Sequence, residues 1–349
     1  MMPKYQRVHL TALGYELGPV VVTSAELEER LSPLYSQLNL QRGQLEAWTG
    51  INERRWWQPG FALSAGALAA ARKALRKSSV TPADIGMVIY AGVCRENFEP
   101  ATACAVAEGL GIRGGAFVYD LSNACLGVLN GMIDVANRIE LGQIRAGLVV
   151  SCETAREINE VALARLSSVR DMSEFAPIIA TFTGGSGAVA VLLTDGSFPG
   201  AIGHRVQGAF SEVAPEHHRL CRWGLEPGAN GHPRQFMHTD SVAVLKNGVH
   251  LGARAWDLFR GHLGWRTAEV DRVICHQVGH GHQEAILEAL QIPREKDYTT
   301  FRFLGNMGTA ALPITAAIAD ERGVLKSGQR IAFLGIGSGL TCLMMGLEW

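Results

Sequence analysis

The sequence predicts an α/β fold built from two similar halves, and three observations carry that expectation. Short apolar runs alternate with helical patterns along most of the 349 residues, which is the signature of parallel strands joined by helical crossovers. The second half repeats the order of the first loosely. A hydrophobic content of 47% is enough for two packed units of about 150 to 180 residues sharing one interior.

In the first half, Ile85 to Ala91 reads as a strand and Ala101 to Leu110 as a helix. Ala116 to Leu121 is a second strand, followed by a helix over Leu126 to Ile139. Ala146 to Ser151 is a third strand, with a charged helix from about Glu153. Ala188 to Leu193, after Gly184, Gly185 and Gly187, reads as the strand that closes the first sheet. The segment Phe198 to His238, rich in Gly, Pro and His, breaks the alternation and marks the join plus a surface excursion. The boundary is placed there, giving halves 1–198 and 199–349. The second half then shows helix over Ser241 to Phe259, strand over Arg272 to His276, helix over Glu284 to Leu290 and over Ala310 to Ala319, and strand over Arg330 to Gly335.

Charge and cysteine usage narrow the function classes. The 32 basic and 33 acidic residues leave a formal charge of -1, so no net field draws the chain to nucleic acid or to an anionic membrane. The opening Met1-Met2-Pro3-Lys4 leads into a short apolar run broken by Gly14 and Glu16, unlike a secretory signal. No run approaches the roughly 20 apolar residues of a membrane span. Seven scattered cysteines without a CxxC pair suggest neither a disulfide framework nor a zinc knuckle, and fit a reducing cytoplasm.

Four places could carry chemistry. Cys125 follows an apolar strand and a Ser122-Asn123 turn, in the first turn of the expected helix. Free N–H groups and the helix dipole there favour a thiolate. Taken alone, a cysteine in an apolar segment is more often a small buried hydrophobe. His276, with Gln277, ends the strand from Arg272 and could donate to an oxyanion; a histidine satisfied within the core is the competing reading. The grouping of His276, His280 and His282 lacks helical ligand spacing, so no metal site is expected. Asn306, in the glycine-flanked turn Gly305 to Gly308, is a neutral donor or simply a cap residue. Glu99, just before Pro100, is a general base or a favourable charge at a helix start. The glycines Gly335, Gly337 and Gly339 lack the remaining features of a dinucleotide loop. They read instead as backbone passing close to a reacting centre.

Together, Cys125 in Asn-Ala-Cys, His276 in His-Gln, Asn306 in Gly-Asn-x-Gly and the closing Gly337-Ser338-Gly339 resemble the ketoacyl synthase III branch of the thiolase superfamily over nearly the whole chain. The resemblance implies a thiolase fold, two similar halves in an α-β-α-β-α layering, and a homodimer. It implies Cys125, His276 and Asn306 as the catalytic set, with Gly337, Ser338 and Gly339 at the substrate. The stretch Thr49 to Arg55 is similar to that branch's segment at the coenzyme A entrance, which implies a phosphate contact by Arg54 or Arg55. Within the branch the chain is most similar to OleA-type synthases, through Phe98-Glu99-Pro100, Ser122 to Leu126, His276-Gln277-Val278 and the stretch from Leu334 to Cys342. That likeness implies a non-decarboxylative Claisen condensation of two fatty acyl-CoA molecules, with Glu99 reaching in from the partner subunit as base. Coenzyme A thioesters are then substrates and no cofactor is needed, with a carrier protein as the other possible donor. The motif after Asn306 and the Gly184 to Gly187 stretch depart from the fatty-acid starter synthases. Two alternatives stand beside this reading: a decarboxylative synthase III using malonyl carrier protein, and a non-catalytic acyl-binding subunit.

Overall fold

Strands that are apolar on both faces must be covered on both sides, and that requirement organises this molecule. The computed structural model describes residues 4–200, 203–228 and 231–349. Its strands are β1 (His9–Leu17), β2 (Val20–Thr23), β3 (Glu53–Trp56), β4 (Ile85–Ala91), β5 (Phe117–Leu121), β6 (Ala146–Glu153), β7 (Gly187–Thr194), β8 (His204–Val213), β9 (Cys221–Pro227), β10 (Pro233–Thr239), β11 (Arg272–Cys275), β12 (Arg330–Gly337) and β13 (Thr341–Glu348). Nine of them form one sheet in the order β11-β12-β13-β8-β1-β7-β6-β4-β5.

The order contains a repeat. In the first half β1 pairs antiparallel with β7, β7 antiparallel with β6, β6 parallel with β4, and β4 parallel with β5. In the second, β8 pairs antiparallel with β13, β13 antiparallel with β12, and β12 parallel with β11. A parallel bridge from Val273 to Asp297 stands where β5 stands in the first half. The two sets meet where β1 pairs with β8, through His9 with Arg205 and Leu10 with His204, and a further antiparallel bridge joins Lys4 to Gly208. The expected parallel pairing therefore holds for β4, β5 and β6 and for β11 and β12, while the inner strands of each half run antiparallel.

Three apolar clusters separate five layers. The central one holds Leu129, Met132 and Val135 from the helix Gly127–Glu140, Ile314 and Ala317 from the helix Ala311–Glu321, and the inward residues Val149, Val191, Phe333 and Met345 of both sheet halves. On the outer face of the first half, Ala67, Ala70 and Ala74 of the helix Leu63–Arg76 and Val106 of the helix Thr102–Leu110 cover Val88, Leu148 and Leu192. The helices Ser241–Leu263 and His280–Leu290 cover Val273, Ala332 and Met344 in the same way. Close approach fixes the central layer: a Cβ on Gly131 would lie 2.7 Å from Val149 Cγ1, and one on Gly147 2.7 Å from Val135 Cγ1.

The segment Phe198 to His238 divides. Its first part is β8, which lies inside the main sheet, and only β9 and β10 form an excursion, a separate antiparallel hairpin. Ala201, Ile202, Ala229 and Asn230 lie outside the described residues, as do Met1 to Pro3 of the opening read for a signal. The charged helix expected from about Glu153 begins at Arg156, and Glu153 is the last residue of β6. Among the described residues no helix is long and apolar enough to cross a membrane.

Candidate active site

Cys125 sits in the turn between β5 and the central helix. Ala124 just before it has φ 45, a left-handed conformation costing a residue with a side chain about 1–2 kcal/mol. The turn is closed by the Leu126 N–H donating to Asn123 O at 2.9 Å. The helix proper begins at Gly127, so Cys125 precedes it rather than lying in its first turn. The Val128 N–H at the helix start already donates to Thr309 Oγ1 at 2.7 Å. These contacts correct the expected lowering of the thiol: burial pushes Cys125 up to about 12, and Cys221 and Glu153 nearby push in the same direction.

The Cys125 side chain is therefore a protonated thiol at neutral pH. Alkylation of Cys125 by iodoacetamide is expected to keep accelerating between about pH 7 and about pH 10, because only the thiolate reacts and its pKa lies above that window. A plateau below the ordinary thiol value of about 8.5, followed by peptide mapping, would show instead that the helix start dominates.

His276 and Asn306 come to the same end of the sheet. The His276 N–H continues the ladder beyond β11 by donating to Leu334 O at 2.9 Å. It thus lies beside β12, whose last residue, Gly337, packs against Cys125: a Cβ there would lie 3.5 Å from the Cys125 nitrogen. His276 is buried with Nδ1 lacking any partner among the described residues. Burial, with His282 close by, lowers its pKa to about 4, so the imidazole is neutral at physiological pH. His280 instead faces Glu284, with Nε2 at 3.2 Å from the carboxylate.

Asn306 stands in the turn before the second central helix. Its N–H donates to Thr183 O and its carbonyl accepts from Gly185 N–H at 2.9 Å. Its Oδ1 accepts from Gly308 N–H at 3.0 Å, which leaves the side-chain NH2 as a free donor. Gly185 allows this contact, since any Cβ would strike Leu304 O.

Glu99 faces solvent in the single chain. It is exposed on the segment between β4 and the helix Thr102–Leu110, next to Phe98, which is 95% exposed. The charge at that helix start is Asp120: its two carboxylate oxygens accept from Thr102 N–H and Ala103 N–H, both at 2.9 Å. Glu99 is thus relieved of the capping role that its position suggested. It makes no hydrogen bond or ion pair among the described residues.

The two candidate phosphate contacts separate. Arg54 is fully buried, donating to Val22 O at 3.2 Å and Ser24 Oγ at 3.0 Å, and burial lowers it to about 10. It is a structural residue, which corrects its candidacy for a solvent-borne phosphate. Arg55 remains, part-exposed and 3.7 Å from Glu53. Ser338 and Gly339 form the turn joining β12 to β13, on the Cys125 side of the sheet. From His276 an apolar cleft runs between the helix Ser241–Leu263 and the sheet, lined by Val249, Ile286, Leu334, Ile336 and Met344.

Sequence reasoning missed Glu153. It is buried at the end of β6, accepting from Val93 N–H at 2.9 Å and Cys94 N–H at 3.2 Å. A charged residue closing an apolar strand was the available signal, the same signal that singled out His276.

Comparison with known proteins agrees over the full length. Residues 261–349 match the family model described as 3-oxoacyl-[acyl-carrier-protein] synthase III C terminal. The chain is 52% identical to an acyl-CoA:acyl-CoA alkyltransferase of Shewanella oneidensis, covering 99% of this chain and 100% of that one. Its structure is similar to a glutamate-substituted Xanthomonas campestris OleA, with a TM-score of 0.93, 34% identity, and 99% and 98% of the two chains covered. It is equally similar to a cysteine-substituted form of that protein with bound lauric acid and lauroyl-CoA, with a TM-score of 0.91, 35% identity, and 99% and 100% covered.

Proposed function

The chain belongs to the acyl-CoA:acyl-CoA alkyltransferase family of thiolase-fold condensing enzymes, and from that premise we propose that it joins two fatty acyl-CoA molecules by a non-decarboxylative Claisen condensation. Cys125 attacks the first thioester. Its proton passes to a neutral base as the new C–S bond forms, for which His276 has a free ring nitrogen, and coenzyme A leaves as the thiol. A second acyl-CoA then enters, and Glu99 removes a proton from its α-carbon. The enolate attacks the carbonyl of acyl-Cys125, the cysteine leaves, and a 2-alkyl-3-ketoacyl thioester is released. His276 and the Asn306 amide stabilise the oxyanions.

The observation that carries the non-decarboxylative step is Glu99 itself, a carboxylate with no partner on a projecting segment. A decarboxylative enzyme generates its carbanion by losing carbon dioxide and needs no such base. Because Glu99 is exposed on a projecting segment beside the exposed Phe98, the base comes from a second copy, in a homodimer to which Phe98 contributes contact. Arg55 supplies the phosphate contact, and Gly337, Ser338 and Gly339 let the thioester approach Cys125. No bound cofactor is required. Seven free thiols suit work in the cytoplasm.

Myristoyl-CoA supplied alone is the test. A condensed β-keto acid, or the ketone formed when it loses carbon dioxide, is the expected product by mass spectrometry. Product appearing only with a malonyl thioester or malonyl carrier protein would overturn the reading in favour of a decarboxylative synthase.

A further inference from the structure

A carboxylate that is 3% exposed must have its charge or its lone pairs met by nearby donors. The donors that meet Glu153 are unusual in their origin. Val93 N–H reaches Oε1 at 2.9 Å and Cys94 N–H reaches Oε2 at 3.2 Å, and both residues begin the segment that carries Glu99. The Thr309 N–H reaches the same carboxylate from the other side. Gly308, at φ 55, packs against it so closely that a Cβ would lie 3.4 Å from the carboxyl carbon. That glycine donates to Asn306 Oδ1, and the Thr309 hydroxyl accepts from Val128 at the start of the Cys125 helix.

We infer that Glu153 is a positioning residue, which clamps the segment bearing Glu99 against the turn bearing Asn306 and so fixes where this chain presents its base to the site of its partner. The inference rests on the condensation assigned above. Its specific content is that the two half-reactions depend on Glu153 unequally. Acylation needs Cys125 and an incoming thioester but no base from the partner copy, whereas condensation also needs Glu99 presented across the dimer by a segment that Glu153 holds in place. Glutamine at this position would turn one acceptor into a donor facing a backbone N–H, and the clamp would open on one side.

The experiment compares wild type, Glu153→Gln and Glu153→Asp in the full-length protein with myristoyl-CoA, measuring acyl-Cys125 formation by intact mass and product formation separately. Glu153→Gln is expected to acylate within about three-fold of wild type while kcat for condensation falls about 10²-fold, the usual effect of a misplacement near 1 Å, with KM little changed. Glu153→Asp, which keeps an acceptor-only group, is expected to recover part of the loss. Wild-type condensation by Glu153→Gln overturns the inference. So does a parallel loss of acylation, condensation and thermal stability, which would make Glu153 a general core residue. If Glu153→Gln does not fold, Glu153→Asp decides: slower condensation with normal acylation supports the clamp, and equality with wild type in both steps overturns it. Failure of the underlying reading has a different mark, because wild type itself would then form no acyl-Cys125.

Discussion

Replacing Cys125 with alanine is expected to reduce condensation by at least about 10⁴-fold, since the covalent intermediate is lost and nothing in the site can substitute for it. Two measurements check this. Incubation with an acyl-CoA should leave the variant at its unmodified mass, while wild type gains one acyl group. Release of coenzyme A, followed with a thiol reagent, should vanish in parallel. The fold should survive, because the thiol makes no structural hydrogen bond to a partner side chain and alanine removes only the sulfur. A variant that still turned over at a tenth of the wild-type rate would mean that the acyl group is carried elsewhere, and Cys221, a thiol close enough to help raise Cys125, would then be the place to look.

The second large effect is on Glu99. Glu99→Gln is expected to acylate Cys125 normally and then stall, with condensation lowered about 10²- to 10⁴-fold, the usual worth of a positioned base. The acyl-enzyme should accumulate, with one coenzyme A released per site and little afterwards. Pairing the two variants tests where the base comes from. In a coexpressed mixture of Cys125→Ala and Glu99→Gln chains, a base acting across the dimer restores one site in each mixed dimer, or about a quarter of wild-type activity by random assortment. A base acting within its own chain restores none.

Much of this arrangement was legible in the letters, for identifiable reasons. Ile85 to Ala91 matches β4 at both ends, because a fully apolar run between turn signals has little room for another reading. Among the strands that escaped notice, β1, β8 and β13 belong to the main sheet and β2, β3, β9 and β10 to the two small two-stranded sheets. In β1 the polar residues Thr11, Gly14 and Glu16 interrupt the apolar run, and the local sequence does not show that both β7 and β8 lie beside it. In β8 the residues Arg205, Gln207 and Ser211 are tolerated because it is paired to β13 along most of its length. Cys125, His276 and Asn306 were singled out from local motifs, and the fold brings all three to one end of the sheet. Their environment was not legible there: burial reverses the expected direction for the Cys125 thiol, and it withdraws Arg54 into the interior. Burial is set by segments far away in the chain. Glu153 was overlooked for the same reason, since its donors come from Val93, Cys94 and Thr309.

The repeated strand order has a further consequence. The helices Gly127–Glu140 and Ala311–Glu321 occupy equivalent places in the two halves, and each is preceded by one residue of the proposed catalytic set, Cys125 in one case and Asn306 in the other. In the proposed reaction one copy of the motif supplies the covalent bond-maker and the other manages charge, so that chemistry would exist only along the seam between them. The middle layer packs both helices into a single apolar interior that neither copy could close alone. A protein severed between β7 and β8 would therefore not yield a small acyl-transferase and a spare scaffold. It would yield two fragments with wet cores, inert until reassembled, and any drift in one copy must be answered by the other.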